Sequence, residues 1–93
     1  MDPNKIVDQR IEVVVGFWQG RPASQICAPL KMRWKNKEIV FSELGLRHPT
    51  MKGQRMVHVF DMSDGYNDYR LEFDAEALTW TLAAMMSKEQ TYD

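Results

Sequence analysis

The fold class is decided by residues 30 to 41, which read LKMRWKNKEIVF. Apolar and charged residues alternate on both sides of a central turn, and successive side chains of a strand point to opposite faces of a sheet. Met32 and Trp34 therefore share one face. With Asn36-Lys37 as a two-residue loop, Trp34 pairs with Ile39, and both strands turn their apolar side chains to the same side. The stretch predicts a β-hairpin with one apolar and one basic face.

Three other segments show the same alternation and predict further strands. These are Ile11 to Trp18, Met56 to Met62 and Tyr69 to Phe73, with a hairpin turn at Ser63 to Asn67. Residues 19 to 29 and 45 to 53 contain prolines and glycines and are expected to be connections. We predict an all-β fold of five or six antiparallel strands, joined mainly by hairpins, in a small, twisted, partly closed barrel.

Residues 74 to 88 allow two interpretations. Asp74 could cap a short C-terminal helix with an apolar stripe that includes Leu78 and Leu82. The favoured interpretation is a strand that begins near Thr79 and follows a hairpin loop, because Thr79 to Leu82 is strand-prone and alternates. The predicted core consists of Val13, Val15, Phe17, Leu30, Met32, Trp34, Ile39, Phe41, Leu71, Phe73, Trp80 and Leu82.

Length and composition indicate one globular domain over residues 1 to 93, with flexible ends at residues 1 to 9 and 88 to 93. The single cysteine, Cys27, excludes an internal disulfide framework and suits a reducing, cytoplasmic compartment. The start of the chain is polar, and no apolar run approaches the roughly 18 residues needed to span a bilayer. We therefore expect no membrane insertion.

Residues suited to catalysis or metal binding are few. His48 is expected in a loop and His58 in a strand, and neither has a sequence neighbour that marks it as a general base. The segment that starts at Asp61 resembles a calcium loop, but Tyr66 occupies the sixth position, where that loop needs glycine. We expect a non-catalytic protein with no cofactor and no metal.

Charge is distributed unevenly along the chain, whose net charge is −1. Residues 31 to 55 carry seven basic and two acidic residues, or +5, whereas residues 61 to 93 carry two basic and eight acidic residues, or −6. Strands of opposite charge can neutralise each other across a sheet, and the same split can form a surface for an anionic partner. The candidate binding face consists of Lys31, Arg33, Lys35, Lys37, Arg47, His48, Lys52 and Arg55.

Three functions follow from these observations as expectations. The favoured one is a binding or accessory module that docks another protein or a second copy of this chain through a sheet edge or an apolar patch. The alternative is a nucleic-acid-binding module that uses the basic hairpin around Lys31 to Lys37 and the segment Arg47 to Arg55. A third candidate is a small-molecule pocket in the barrel mouth, lined by aromatic side chains.

A family resemblance rests on three groups of residues. They are the run MRWKNK at residues 32 to 37, VHV at 57 to 59, and DYRLEFD at 68 to 74 followed by Trp80-Thr81-Leu82. This pattern resembles a family of small prokaryotic β-meander domains of unknown function, over about two thirds of the chain. The resemblance implies a meander of short strands and no catalytic residues. Some members of that family are associated with DNA-repair polymerases, which implies a link to nucleic acid.

Overall fold

A computed structural model describes residues 4 to 87, which form one sheet of seven antiparallel strands and contain no α-helix. The strands are β1 (Asn4–Phe17), β2 (Cys27–Trp34), β3 (Lys37–Val40), β4 (Glu43–Lys52), β5 (Arg55–Ser63), β6 (Asn67–Asp74) and β7 (Thr79–Ser87). A three-residue 3-10 turn, Ala23–Gln25, lies between β1 and β2. The all-β prediction is confirmed, but the strands number seven rather than five or six. No helix within these residues is long and apolar enough to cross a membrane.

The sheet is open, so the predicted barrel is not formed. Its order is β3-β2-β1-β7-β6-β5-β4, which makes β3 and β4 the two edges although only Phe41 and Ser42 separate them in the chain. The N–H of Phe41 donates to the carbonyl of Leu30 at 2.9 Å, and the N–H of Ser42 donates to the carbonyl of Ser63 at 2.7 Å. Between the end of β3 and the start of β4, the main chain thus changes its hydrogen-bond partner from β2 to β5. The sheet must curl to permit this transfer, but its two edge strands do not pair with each other.

The predicted β2–β3 hairpin is present with its turn one residue earlier than expected. Lys35 and Asn36 form the turn with φ values of 55° and 62°, as a tight two-residue hairpin loop requires. Trp34 pairs with Lys37, and Met32 pairs with Ile39. Moving the turn by one residue moves the cross-strand partner of each residue by two positions. Since side chains alternate between faces with a period of two, the apolar side chains keep their common face.

Several predicted boundaries are wrong. Residues 45 to 53 were expected to be a loop, but Glu43–Lys52 pairs with β5 along its length, and Pro49 is accommodated because β4 is an edge strand. Residues 4 to 9 lie in β1 and pair with β7 rather than forming a flexible lead-in. The flexibility expected at residues 1 to 3 and 88 to 93 concerns positions outside the described residues.

The C-terminal helix is absent, and the favoured strand is confirmed as β7. A turn precedes this strand, in which the Asp74 carboxylate accepts hydrogen bonds from the N–H groups of Glu76 and Ala77 at 3.0 and 3.1 Å. Trp80 pairs with Phe73 on β6, and their ring centroids lie 4.8 Å apart. The Asp74 side chain therefore stabilises a hairpin turn instead of a helix N-terminus.

The core lies on the concave face of the curled sheet and draws on five of its strands. Its buried members are Ile11, Met32, Phe60, Met62, Tyr69, Leu71 and Leu82. Two residues predicted in the core are exposed, namely Leu30 and Phe17. Leu30 lies where the β1–β2 register shifts, between the pairs Val14–Lys31 and Val15–Pro29, and Phe17 is the last residue of its strand. The alternation that predicts burial fails at a bulge and at a strand end.

Candidate binding surfaces

Lys31 and Arg33 of the predicted basic stripe lie on the outward face of the sheet, but acidic residues alternate with them. Arg33 pairs with Glu12 on one side and with Glu38 on the other. The Glu38 carboxylate lies 3.5 Å from Lys31 Nζ. The stripe is therefore a surface of mixed charge.

The remaining two hairpin cations occupy other positions. Lys35 is in the turn, and its Nζ lies 4.7 Å from the ring centroid of Trp34, a cation–π contact. Lys37 is exposed and shares the face of Trp34 by register. The indole N–H of Trp34 donates to the Gln9 side chain at 2.8 Å. Neither Lys35 nor Lys37 contributes to the outward stripe.

Lys52 and Arg55 flank the β4–β5 turn, and both are neutralised by acidic residues of the chain's second half. Lys52 Nζ lies 3.0 Å from Glu72 Oε1, and Arg55 Nε lies 2.9 Å from Asp74 Oδ2. The neighbouring guanidinium of Arg55 lowers the pKa of Asp74, and hydrogen bonds from the turn act in the same direction. The opposite charges of the two halves of the chain are thus partly used in pairing across the sheet.

Arg47 and His48 are adjacent on β4 and therefore point to opposite faces. Arg47 pairs with the buried Phe60, and His48 pairs with Val59. The eight residues of the predicted binding face consequently do not form one surface. They were grouped because they lie close together in the sequence, and residues 45 to 53 were expected to be a loop rather than an edge strand.

An apolar patch lies on the outward face of β1, β2 and β3. Val14 and Val40 flank Lys31 in one row across these strands. Leu30 is the extra residue at the β1–β2 register shift, and its Cδ1 lies 3.3 Å from the Cβ position of Gly16, which shares the face of Val14 on β1. Val14, Leu30 and Val40 are 49%, 41% and 59% exposed. We call these three residues the wing patch. Sequence reasoning missed Val14 and Val40 because strand valines usually indicate burial.

A cleft of about 420 Å³ opens beside Phe41 and Ser42, the two residues that link β3 to β4. We call it the edge cleft. One side is formed by the first residues of β2 and the other by the first residues of β4, with the β1–β2 connection above. Its principal side chains are those of Trp18, Arg21, Leu30, Phe41, Leu44 and Arg47. Sequence reasoning missed Trp18 and Arg21 as a pair, because no periodicity marks a connection.

His58 and Cys27 are both half-buried. His58 faces the core side opposite Phe73, and its Nδ1 is shielded from solvent without a hydrogen-bond partner among the described residues. Burial raises the pKa of the Cys27 thiol, although the positive charge of Arg47 lowers it in part. Residues 4 to 87 hold no group of three or more His, Cys, Asp or Glu side chains placed to bind a metal ion.

The turn between β5 and β6 is confirmed as a hairpin turn. The Asp64 carboxylate accepts hydrogen bonds from the N–H groups of Tyr66 at 2.8 Å and Asn67 at 2.7 Å. The Tyr69 hydroxyl donates to the same carboxylate at 2.9 Å. Asp61, which begins the calcium-like stretch, is instead bound by Arg70 at 2.8 Å. These carboxylates serve the turn and the sheet.

Comparison with known proteins gives no match for this chain among family models, curated proteins or solved structures.

Proposed function

We propose that this protein is a non-catalytic binding module that associates with a second copy of its own chain through the wing patch. The observation that carries the proposal is the row of exposed valines, Val14 and Val40, together with the neighbouring Leu30. Exposed apolar side chains grouped on one sheet face and rimmed by charges are typical of protein contact surfaces.

The charges around the patch favour a second copy over a strongly charged partner. Lys31 and Arg33 lie among Glu12 and Glu38 on the same outward face, so the four formal charges sum to zero. An alternating pattern can meet its own copy with opposite charges in register when two subunits are related by a two-fold axis. A polyanion would meet as many repulsive as attractive groups.

The size of the patch sets the strength of the association. Stable interfaces bury about 1,200 to 2,000 Å² in total, and three side chains with their charged rim offer less than this. We therefore expect a weak dimer whose population rises with protein concentration.

Sedimentation velocity over about 10 to 500 μM protein tests the proposal. The mean sedimentation coefficient of the wild type should rise with concentration, whereas Val40→Lys should stay monomeric because its charges repel across the two-fold contact. Met51→Lys is the matched control, since Met51 is 57% exposed but lies on β4. A wild type that remains monomeric throughout the range, or equal association of Val40→Lys, would reject the proposal.

Nucleic-acid binding by the hairpin end is the second candidate function. It is supported by Arg33 and Lys37, which take part in none of the ion pairs among the described residues, and by Lys35 at the exposed turn. The alternating carboxylates of the stripe weaken this candidate, since they reduce the attraction for phosphates.

A further inference from the structure

Arg47 places a positive charge on the core side of the sheet. It pairs with Phe60, which pairs in turn with Leu71, and both of these residues are buried. Paired residues of antiparallel strands share a face, so the Arg47 side chain leaves β4 on the apolar side. An ionised group in such surroundings is unfavourable unless an acceptor or an opposite charge accompanies it.

Arg47 lacks such a partner within residues 4 to 87. Its Nε is shielded from solvent and has no hydrogen-bond acceptor, and Arg47 takes part in none of the ion pairs there. A guanidinium donates its hydrogen bonds in a fixed plane that suits two oxygens of one carboxylate or phosphate. Among ligands, a carboxylate or a phosphate therefore complements this guanidinium best.

The edge cleft, which Arg47 lines, has a second guanidinium and aromatic surfaces. Arg21 also lines the cleft, and its guanidinium carbon lies 4.2 Å from the ring centroid of Trp18. This stacking holds Arg21 in place without using its hydrogen-bond donors. Glu43 is the acidic residue among those that line the cleft, so cations exceed anions by two to one.

We infer that the edge cleft binds a small organic oxyanion with a flat apolar body. The guanidinium groups of Arg47 and Arg21 supply the positive charge for the anionic end, and Trp18 and Phe41 contact the apolar body. The volume of about 420 Å³ suits a ligand of this size. Carboxylates and phosphates share the required chemistry. Leu30 belongs to both the edge cleft and the wing patch, but the inference does not depend on self-association, because Arg21 and Arg47, which carry it, lie outside the wing patch.

Isothermal titration calorimetry with benzoate, phenyl phosphate and benzyl alcohol as probes tests the inference. At least one of the two anions should bind with one site per chain, and the neutral alcohol should bind about tenfold or more weakly because it lacks the charge. The ratio of the two anion affinities distinguishes a carboxylate site from a phosphate site. Titration with inorganic phosphate alone shows whether the apolar body of the ligand contributes to the affinity. Inorganic phosphate should bind more weakly than phenyl phosphate.

Variants identify the residues involved. Arg47→Gln should weaken binding of the better anion by about tenfold or more, and Arg21→Gln should weaken it by a smaller factor. Arg10→Gln is the matched control, because Arg10 is exposed on β1 and does not line the cleft. Its affinity should equal that of the wild type.

Thermal melting distinguishes a role of Arg47 in anion binding from a role in stabilising the fold. Arg47→Met should melt at or above the wild-type temperature without ligand, because it removes a half-buried guanidinium whose Nε has no hydrogen-bond partner among the described residues. Its anion binding should be lost. The inference is overturned if neither anion binds up to about 10 mM, or if benzyl alcohol binds as well as the anions. It is also overturned if Arg47→Gln binds like the wild type, or if both Arg47 variants melt well below it.

Discussion

Arg47 lies directly opposite Phe60 across the β4–β5 pair, so an ionised side chain shares a face with an aromatic residue that is 2% exposed. This arrangement is tolerated at β4 because it is an edge strand and the edge cleft opens beside it. A central strand would enclose the guanidinium between two apolar neighbours. The open edge of the sheet therefore accounts for the position of the candidate oxyanion site.

The centre of the core is the pair Leu71–Leu82 across β6 and β7, in which both side chains are fully buried. Leu71→Ala should lower the free energy of unfolding by about 2 to 5 kcal/mol, because it removes buried methyl groups and leaves a cavity. Urea denaturation measures the change. Leu46→Ala is the control, since Leu46 is 58% exposed, and should change stability by about 0.5 kcal/mol or less. Equal losses in the two variants would contradict this description of the core.

Asp64 should make stability depend on pH in the acidic range. Burial raises the pKa of this carboxyl, but hydrogen bonds from Asn67, Tyr66 and Tyr69 together outweigh burial, and the net pKa is lowered. A carboxyl with a lowered pKa in the folded state stabilises the protein above its unfolded pKa of about 4, and this stabilisation is lost as the pH falls below that value.

Urea denaturation of the wild type and Asp64→Asn between about pH 7 and pH 2.5 tests this dependence. The wild type should be the more stable protein at neutral pH, and the difference should shrink as the pH falls below about 4. A difference that stays constant over the whole range would show that the charge of Asp64 does not contribute.

Gly16 should be required for the position of the Trp18 ring. A Cβ atom added at Gly16 would lie 2.8 Å from Cη2 and 2.9 Å from Cζ2 of Trp18. The ring must therefore move in Gly16→Ala, at a cost of about 1 to 3 kcal/mol. The measurement is the indole N–H resonance of Trp18, which should shift while that of Trp80 stays in place. An unchanged Trp18 resonance would contradict the close approach.

Local alternation in the sequence was sufficient to predict the all-β class and the faces of the main hairpin. Met32 and Ile39 share the core face although the turn is at Lys35-Asn36 rather than Asn36-Lys37. A shift of the turn by one residue preserves the faces, so the apolar pattern alone does not decide between the two turns. The β7 strand was predictable for the same reason, since Thr79 to Leu82 alternates.

The hairpin pairs were predictable, but the transfer at Phe41-Ser42 and the pairing of β1 with β7 were not. They depend on hydrogen bonds such as that between Ser42 and Ser63, which are distant in the chain. The candidate basic face was misjudged for this reason, because Lys52 is neutralised by Glu72 on a strand that the sequence does not place nearby. The residues of the edge cleft come from three segments, and no local pattern connects them.

The nucleic-acid alternative makes a quantitative prediction for the hairpin. Among its cations, Arg33, Lys35 and Lys37 take part in no ion pair among the described residues, so at most about three phosphates can be neutralised there. The logarithm of the binding constant for short single-stranded DNA should therefore fall against log[salt] with a slope no steeper than about −2 to −3. Fluorescence anisotropy from about 50 mM salt upward measures this slope.

Changing Arg33 and Lys35 together to Ala should reduce the magnitude of this slope by about 1.4 and leave folding intact, because both side chains are exposed. Changing Lys52 and Arg55 together to Ala is the matched control. These two cations are already paired with Glu72 and Asp74, so their loss should leave the slope nearly unchanged. A slope steeper than about −4, or a larger effect of the control pair, would show that nucleic acid contacts a wider surface than the hairpin. Absence of binding at about 50 mM salt would eliminate this alternative, since electrostatic attraction is strongest at low salt.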